Sequence, residues 1–143
     1  MPINQINWLA IFVAGLAPMA IGMLWYSPLL FAKKWMSFVG KTEEEIRKEG
    51  SAKAYALSLV TSMIMSFILE YFIMYTGSFT MSSGIRLGFI VWVGFIATTS
   101  YASVLFESRP KGLYLINAGY NLVSLLIMGA IEGGMTNDPM LAG

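Results

Sequence analysis

The sequence predicts an all-α polytopic membrane protein: four transmembrane helices in a bundle, with a short amphipathic cytoplasmic connection between helices 1 and 2. Of the 143 residues, 57% are hydrophobic and only 12% are charged, whereas soluble domains carry roughly 25% charged residues. Four apolar stretches are each long enough to cross the ~30 Å hydrocarbon layer. Lysine and arginine are concentrated in the connections on one side. We expect a single domain over residues 1–143.

The first span is predicted over residues 8–30. We expect it to be retained, because no basic segment precedes it and no clear cleavage site follows it. Pro18 should kink this helix, which a membrane helix tolerates when neighbouring groups satisfy the freed carbonyl. Trp25 and Tyr26 close the span as an aromatic pair typical of the membrane interface. We expect both to make structural or headgroup contacts.

The connection after the first span changes in character. Aromatic residues at helical spacing on one side and lysines on the other predict a helix lying in the headgroup plane; they are Phe31, Trp35 and Phe38 against Lys33 and Lys34. Thr42 and Glu45 have the spacing of a capping box, so a second short helix should begin there. Gly50 should end it.

The second and third spans are predicted over residues 54–76 and 85–106. On the second, small hydroxyl residues at i,i+4 spacing lead to Glu70. An ionised carboxylate inside a membrane is costly, and Arg86 is the only cation on that side. A structural ion pair between Glu70 and Arg86 is therefore favoured over a protonatable gate or coupling site.

The fourth span, predicted over residues 113–131, is amphipathic. Six residues fall within roughly an 80° arc at 100° per residue: Tyr114, Asn117, Asn121, Ser124, Met128 and Glu132. The opposite side is aliphatic. We therefore expect the asparagine-bearing side to face protein or water and the aliphatic side to face lipid. The tail from Gly133 is expected to be mobile.

The polar residues of spans two to four include the candidates for a substrate or ion pathway. They are Glu70, Ser100, Ser103, Tyr114, Asn117, Tyr120 and Asn121. One interpretation is a polar vestibule for a small solute or a lipid headgroup. The other is hydrogen bonding between helices, in which each bond contributes only ~0.6 kcal/mol. Both interpretations stay open.

The charged turns predict both a local contact and an orientation. Glu107 and Arg109 flank the turn before the fourth span, and a salt bridge between them is favoured over a headgroup clamp formed by Arg109 and Lys111. Eight of the nine lysines and arginines lie in the first and third connections. The positive-inside rule therefore predicts cytoplasmic basic connections and both termini outside.

Four blocks of sequence resemble a known family. They are WYSPLLFAKKW at residues 25–35, KAYAL at 53–57, FESRP at 106–110 and LINAGYNL at 115–122. With them the chain resembles, over nearly its whole length, a bacterial membrane family catalogued as domain of unknown function 1761. The resemblance implies a compact four-span protein of the bacterial cytoplasmic (inner) membrane. It implies no activity and no catalytic residue.

Composition narrows the function. The chain has no cysteine and no histidine, so no thiol nucleophile, metal centre or cofactor is expected. A net charge of +1 gives no basic surface for nucleic acid. The favoured function is a small homo-oligomeric transport or permeation protein, in contact with membrane lipid, with its conduit at a subunit interface. The alternative is a non-catalytic scaffold or assembly subunit. An enzyme acting on lipid is disfavoured, because no two acids have a spacing suited to acid–base work.

Overall fold

The computed structural model describes residues 5–50 and 52–139, and every regular element in these ranges is helical. In chain order the α-helices are α1 (Trp8–Trp25), α2 (Ala32–Val39), α3 (Glu43–Glu49), α4 (Ala52–Thr76), α5 (Met81–Val91), α6 (Thr98–Phe106) and α7 (Lys111–Met135). A π-helical segment, Trp92–Ala97, joins α5 to α6, so Met81–Phe106 is one continuous helical run. The all-α prediction is confirmed.

Four helical runs are long and apolar enough to cross a membrane: α1, α4, the α5–α6 run and α7. Their ends differ from the predicted ones by four residues or more at three places, and by two residues at the starts of α4 and α7. The α5–α6 run begins at Met81 rather than at residue 85. Helix α1 ends at Trp25 rather than at residue 30, because the chain turns just before Pro28, whose ring restricts the preceding residue to non-helical angles. Helix α7 continues to Met135 rather than stopping at residue 131.

The expectation of a mobile tail from Gly133 is wrong for the residues that the structure describes. Gly133 is buried against Thr80 and Gly84, and Thr136 is only 4% exposed. The small side chains in this stretch allow α7 to continue in close contact with its neighbours. Residues 140–143 of the predicted tail lie outside the described ranges.

Two short helices form the connection between α1 and α4. Gly40 ends α2 with a left-handed backbone, φ 74°, which glycine adopts without strain. The predicted capping box at the start of α3 is confirmed: the Glu45 N–H donates to Thr42 Oγ1 at 3.2 Å, and the Thr42 N–H donates to Glu45 Oε2 at 2.9 Å. Gly50 ends α3 as expected.

Helices α5 and α7 pack through glycines. Gly84 and Gly88 lie one turn apart on α5, and Gly129 and Gly133 lie one turn apart on α7. A Cβ placed on Gly84 would overlap the carbonyl oxygen of Gly129, and one placed on Gly88 would overlap that of Leu125. The two backbones are therefore in direct contact, as small-xxx-small faces permit in membrane helices.

Helix α1 packs against α4 through small residues and hydroxyl groups. Ala10 and Ala14 are fully buried. Ser62 Oγ donates to the Gly15 carbonyl at 2.7 Å, and Ser66 Oγ lies 2.8 Å from the Ile11 carbonyl. The serine stripe predicted on the second span thus serves, in part, to attach α4 to α1.

Candidate functional site

A cavity of about 1120 Å³ lies between α1, α4 and α7 and is bordered by α2 and α3. Helices α4 and α7 make direct polar contacts near the C-terminal end of each, whereas the cavity separates their N-terminal halves. Pro18, on α1, lines the deep end, and α2 and α3 lie at the mouth. The cavity therefore enters from the side of the protein that carries the basic α1–α4 connection.

Helix α7 turns its asparagines toward this cavity. Asn117 and Asn121 both line it. Tyr26 donates from its hydroxyl to Asn117 Oδ1 at 2.8 Å, and the Asn121 side-chain amide donates to the Asn117 carbonyl at 3.0 Å. On the opposite side of the helix, Leu115 is 66% exposed. The helix thus presents amides to the interior and aliphatic side chains to the exterior.

The deep end of the cavity contains an unsatisfied hydroxyl group. Ser124 lines the cavity and is fully buried. Its Oγ has no hydrogen-bond partner among the described residues. The Tyr120 hydroxyl, one turn nearer the mouth, donates instead to the Pro18 carbonyl at 2.8 Å. The Ser124 oxygen is not accessible to solvent, so the half-buried Asn117 and Asn121 offer the accessible polar groups of this wall.

Charge is confined to the mouth of the cavity. Among the described residues that line it, only Lys33 and Glu43 are charged, and both are exposed. The walls carry hydroxyl groups from Ser58, Thr61 and Ser62 of α4, together with methionine and aromatic side chains. Such a lining solvates amide and hydroxyl groups but gives no compensation for a full charge.

Beyond the deep end, side-chain contacts join α4 to α7. Ser66 Oγ of α4 lies 2.5 Å from Glu132 Oε1 of α7. One turn further along α4, Glu70 accepts a hydrogen bond from Thr136 Oγ1 at 2.8 Å and from the Asn7 N–H at 3.3 Å. Both glutamates are fully buried. This closed end therefore consists of two carboxyl groups with hydroxyl and amide partners.

The expected ion pair between Glu70 and Arg86 is not found among the described residues. Arg86 is exposed on α5, and the polar partners of Glu70 are Thr136 and Asn7. The extension of α7 to Met135 brings Thr136 to the carboxyl group, which supplies the donor that the sequence interpretation sought in an arginine.

The remaining predicted pathway residues divide into two groups. Tyr120 lines the cavity with the two asparagines, whereas Ser100, Ser103 and Tyr114 do not. The Tyr114 hydroxyl donates to the Ala97 carbonyl at 2.9 Å, which attaches α7 to the π-helical segment. Glu132 was placed on the predicted polar arc but was not among the predicted pathway residues, because it lies just beyond the predicted end of the span.

The predicted interface residues make contacts within the protein. Trp25 Nε1 donates to the Ile116 carbonyl at 3.0 Å, so this residue attaches α1 to α7. Arg109 Nε donates to Glu107 Oε2 at 2.8 Å, which is the favoured local salt bridge; both side chains are exposed. Lys111 is exposed at the start of α7. Within residues 5–50 and 52–139 there is no group of three acidic residues placed to hold a metal ion.

The fold and the cavity define a class: an all-α protein with four apolar helices, as in a multi-pass membrane protein, and a cavity with mainly apolar walls and a few polar groups that opens at one end. The sequence profile described as Protein of unknown function (DUF1761) matches residues 9–133, and the chain belongs to this family. The resemblance carried by the four sequence blocks is thereby confirmed. Comparison with curated proteins and with solved structures finds no match.

Proposed function

We propose that this protein is a small membrane transport or permeation protein that binds a neutral solute in the cavity between α1, α4 and α7. The observation that carries the proposal is a cavity of about 1120 Å³ that is lined by Asn117 and Asn121. Both residues are half-buried, so their amides are accessible from the cavity. A solute with a polar group can hydrogen-bond to these amides.

The lining of the cavity favours a neutral, partly apolar solute. Small-molecule pockets have volumes of roughly 300–1,000 Å³ and a few polar groups among apolar walls. This cavity, at about 1120 Å³, is slightly larger and has the same kind of lining. Asn117 and Asn121 offer amide donors and acceptors. An ion would lose its hydration without meeting an opposite charge, since Lys33 and Glu43 lie at the mouth.

The distribution of basic residues supports an orientation in the membrane. Six of the nine lysines and arginines lie in the connection that contains α2 and α3 or at the start of α4, and this connection borders the cavity. By the positive-inside rule the mouth then faces the cytoplasm, with both termini on the other side. The closed end, at Glu70 and Glu132, lies toward the outer surface and must open for a solute to pass.

The cavity also changes where the conduit is proposed to lie. The sequence suggested a pathway at a subunit interface, because four spans leave little room inside one chain. In the structure the N-terminal halves of α4 and α7 are far enough apart to leave the cavity within a single chain. Self-association remains part of the proposal, as a means of covering the exposed apolar helices, but the solute site is placed inside each protomer.

Solute flux in proteoliposomes tests this function. Vesicles containing the protein are given an osmotic step of glycerol, urea or acetamide, and the swelling rate is followed by light scattering. We expect faster entry of at least one probe than into protein-free vesicles. Asn121→Leu should slow that entry roughly 3- to 10-fold, since it removes hydrogen bonding worth about 0.5–1.5 kcal/mol.

Ile127→Leu provides the matched control, because Ile127 lies on the same helix, is 39% exposed and does not line the cavity. Its flux should equal that of the unsubstituted protein. Flux no faster than in protein-free vesicles for all three probes, from folded protein, would contradict the permeation role. A different protein that co-purifies at fixed stoichiometry would then favour the scaffold alternative.

A further inference from the structure

The two buried carboxyl groups at the closed end lie apart from the solute cavity. Glu70 and Glu132 are both fully buried, with a relative solvent exposure of 0%. Neither of them lines the cavity. No lysine or arginine forms an ion pair with either of them among the described residues. Two ionised carboxylates without a cation are strongly disfavoured in such a place.

The hydrogen bonds around Ser66 indicate which of the two carboxyl groups is neutral. Ser66 Oγ lies 2.8 Å from the Ile11 carbonyl oxygen and 2.5 Å from Glu132 Oε1. A serine hydroxyl has a single hydrogen to donate, and a carbonyl oxygen has none. Each contact has a hydrogen of its own, rather than sharing one, only if Glu132 donates to Ser66 and Ser66 donates to Ile11.

The second oxygen of Glu132 points to the same protonation state. Glu132 Oε2 is buried and has no hydrogen-bond partner among the described residues. An unpartnered oxygen on a neutral acid costs far less than one on a carboxylate, whose full charge then lacks compensation. Glu70 differs, because its oxygens accept from the Thr136 hydroxyl and the Asn7 N–H.

The elements packed around Glu132 bring few other charged groups to this end. Helix α1 contributes the Ile11 carbonyl, and α4 contributes Ser66 and Glu70. Helix α5 contributes backbone at Gly84, while its Arg86 is exposed. Asp138, which follows α7, is half-buried. The charged residues that the structure describes near this end are thus acidic, apart from the exposed Arg86.

We propose that Glu132 is a proton-binding site, so that the Glu70–Glu132 pair holds one proton at neutral pH. The proton lies on Glu132 Oε1 and is donated to Ser66 Oγ. This bond joins α7 to α4 directly beyond the deep end of the cavity. Ser62 lies one turn from Ser66, and Ser124 lies two turns from Glu132, both nearer the mouth. Both of these serines line the cavity. Loss of the proton places two charges of the same sign at the contact that closes the cavity.

Infrared difference spectroscopy between H₂O and D₂O tests directly whether Glu132 carries a proton. The measurement needs no solute. The protein in detergent at neutral pH should show the carbonyl-stretch band of a neutral carboxylic acid, shifted to lower frequency in D₂O. Glu132→Gln should lose this band, and its amide can still donate to Ser66. Glu70→Gln is the matched control and should retain it. In Ser66→Ala the carboxyl group stays but its acceptor is gone, so the band should move to higher frequency.

Several outcomes would overturn the assignment. A band that survives Glu132→Gln and disappears in Glu70→Gln would place the proton on Glu70. Absence of any such band in the unsubstituted protein would show that both groups are ionised. A midpoint of thermal unfolding that rises in NaCl but not in choline chloride of equal ionic strength, without the band, would identify a sodium site instead. None of these results depends on whether the proposed solute flux is observed.

Discussion

Several polar side chains in this protein bond to the backbone or to a side chain of another helix. Trp92 Nε1 donates to the Ala118 carbonyl at 2.8 Å, and Trp25 and Tyr120 make comparable bonds to Ile116 and Pro18. These groups attach aromatic residues to helices that are otherwise apolar. Each such bond contributes modestly in lipid, ~0.6 kcal/mol on average, so their effect on stability comes from their number.

Thr136 is the residue whose single hydroxyl should matter most. In Thr136→Val the Glu70 carboxyl group loses its side-chain donor, while the volume of residue 136 changes little. Leaving a buried acceptor unsatisfied costs about 1–3 kcal/mol, so the free energy of unfolding should fall by that amount. Unfolding in increasing mole fractions of SDS, followed by circular dichroism, measures the change.

Thr98→Val is the control for this substitution. Thr98 is exposed, and its hydroxyl donates to the Gly94 carbonyl of its own helical run at 2.9 Å. Its replacement should alter the free energy of unfolding much less. Equal effects of the two substitutions would show that Glu70 does not depend on Thr136.

At the scale of helices, the closest packing is between α5 and α7. Their facing glycine pairs allow the two backbones to touch, and Gly84 approaches Gly129 so closely that neither position has room for a side chain. Since lipid supplies no hydrophobic force between helices, this close van der Waals contact is the main attraction available to them.

Gly84→Ala should destabilise the pair of helices. The added Cβ would overlap the Gly129 carbonyl, and overpacking of this kind costs typically 1–3 kcal/mol. Gly94→Ala is the matched control, because no atom lies within 4 Å of a Cβ built at Gly94. There the better helix propensity of alanine should leave stability unchanged or raise it by up to about 1 kcal/mol.

Both variants are compared by the SDS fraction at which half of the protein is unfolded. A lower midpoint for Gly84→Ala together with an unchanged or higher midpoint for Gly94→Ala is the expected pair of results. If the two midpoints agree, the α5–α7 contact is looser than the structure shows.

The long helices were largely predictable from the local sequence. The contacts between these helices were less so. Hydrophobic length identified the four long helices, and the 100° periodicity of α7 placed Asn117 and Asn121 on the side that lines the cavity. The contact between the glycines of α5 and α7 was not predicted, since a small-xxx-small pattern does not specify its partner helix. That information lies in the packing of the whole chain.

The partners of Glu70 and Glu132 were missed for a related reason. The hydrophobic stretch of α7 weakens at Gly133, so the predicted span ended at residue 131, just before Glu132, and Thr136 was left in a tail. The helix continues because its backbone packs closely against α5. A hydroxyl donor for Glu70 was therefore present in the sequence but assigned to the wrong element.

At the scale of the whole molecule, the protein is closed at one end and open at the other. Glycine contacts and the carboxyl–hydroxyl contacts hold α4, α5 and α7 together near Glu70 and Glu132. Toward the basic connection α4 and α7 are separated by the cavity. In a membrane this asymmetry gives a site that is accessible from one side only, as the proposed transport role requires.

The central claim is that the asparagine-bearing side of α7 faces a water-accessible cavity. Because the chain has no cysteine, single variants can be labelled without background. Asn121 lies roughly 15 Å along α7 from its start, and Ile127, also far from the helix ends, is 39% exposed. Asn121→Cys and Ile127→Cys are reconstituted in vesicles and treated with a membrane-impermeant maleimide.

We predict that Asn121→Cys reacts when the reagent is added on the side of the α2–α3 connection and not when it is added on the other side. Ile127→Cys should react from neither side, since an impermeant reagent does not reach a thiol among acyl chains. An unreactive Asn121→Cys beside a reactive Ile127→Cys would contradict the account, because it would place the asparagines toward lipid and the aliphatic side toward water.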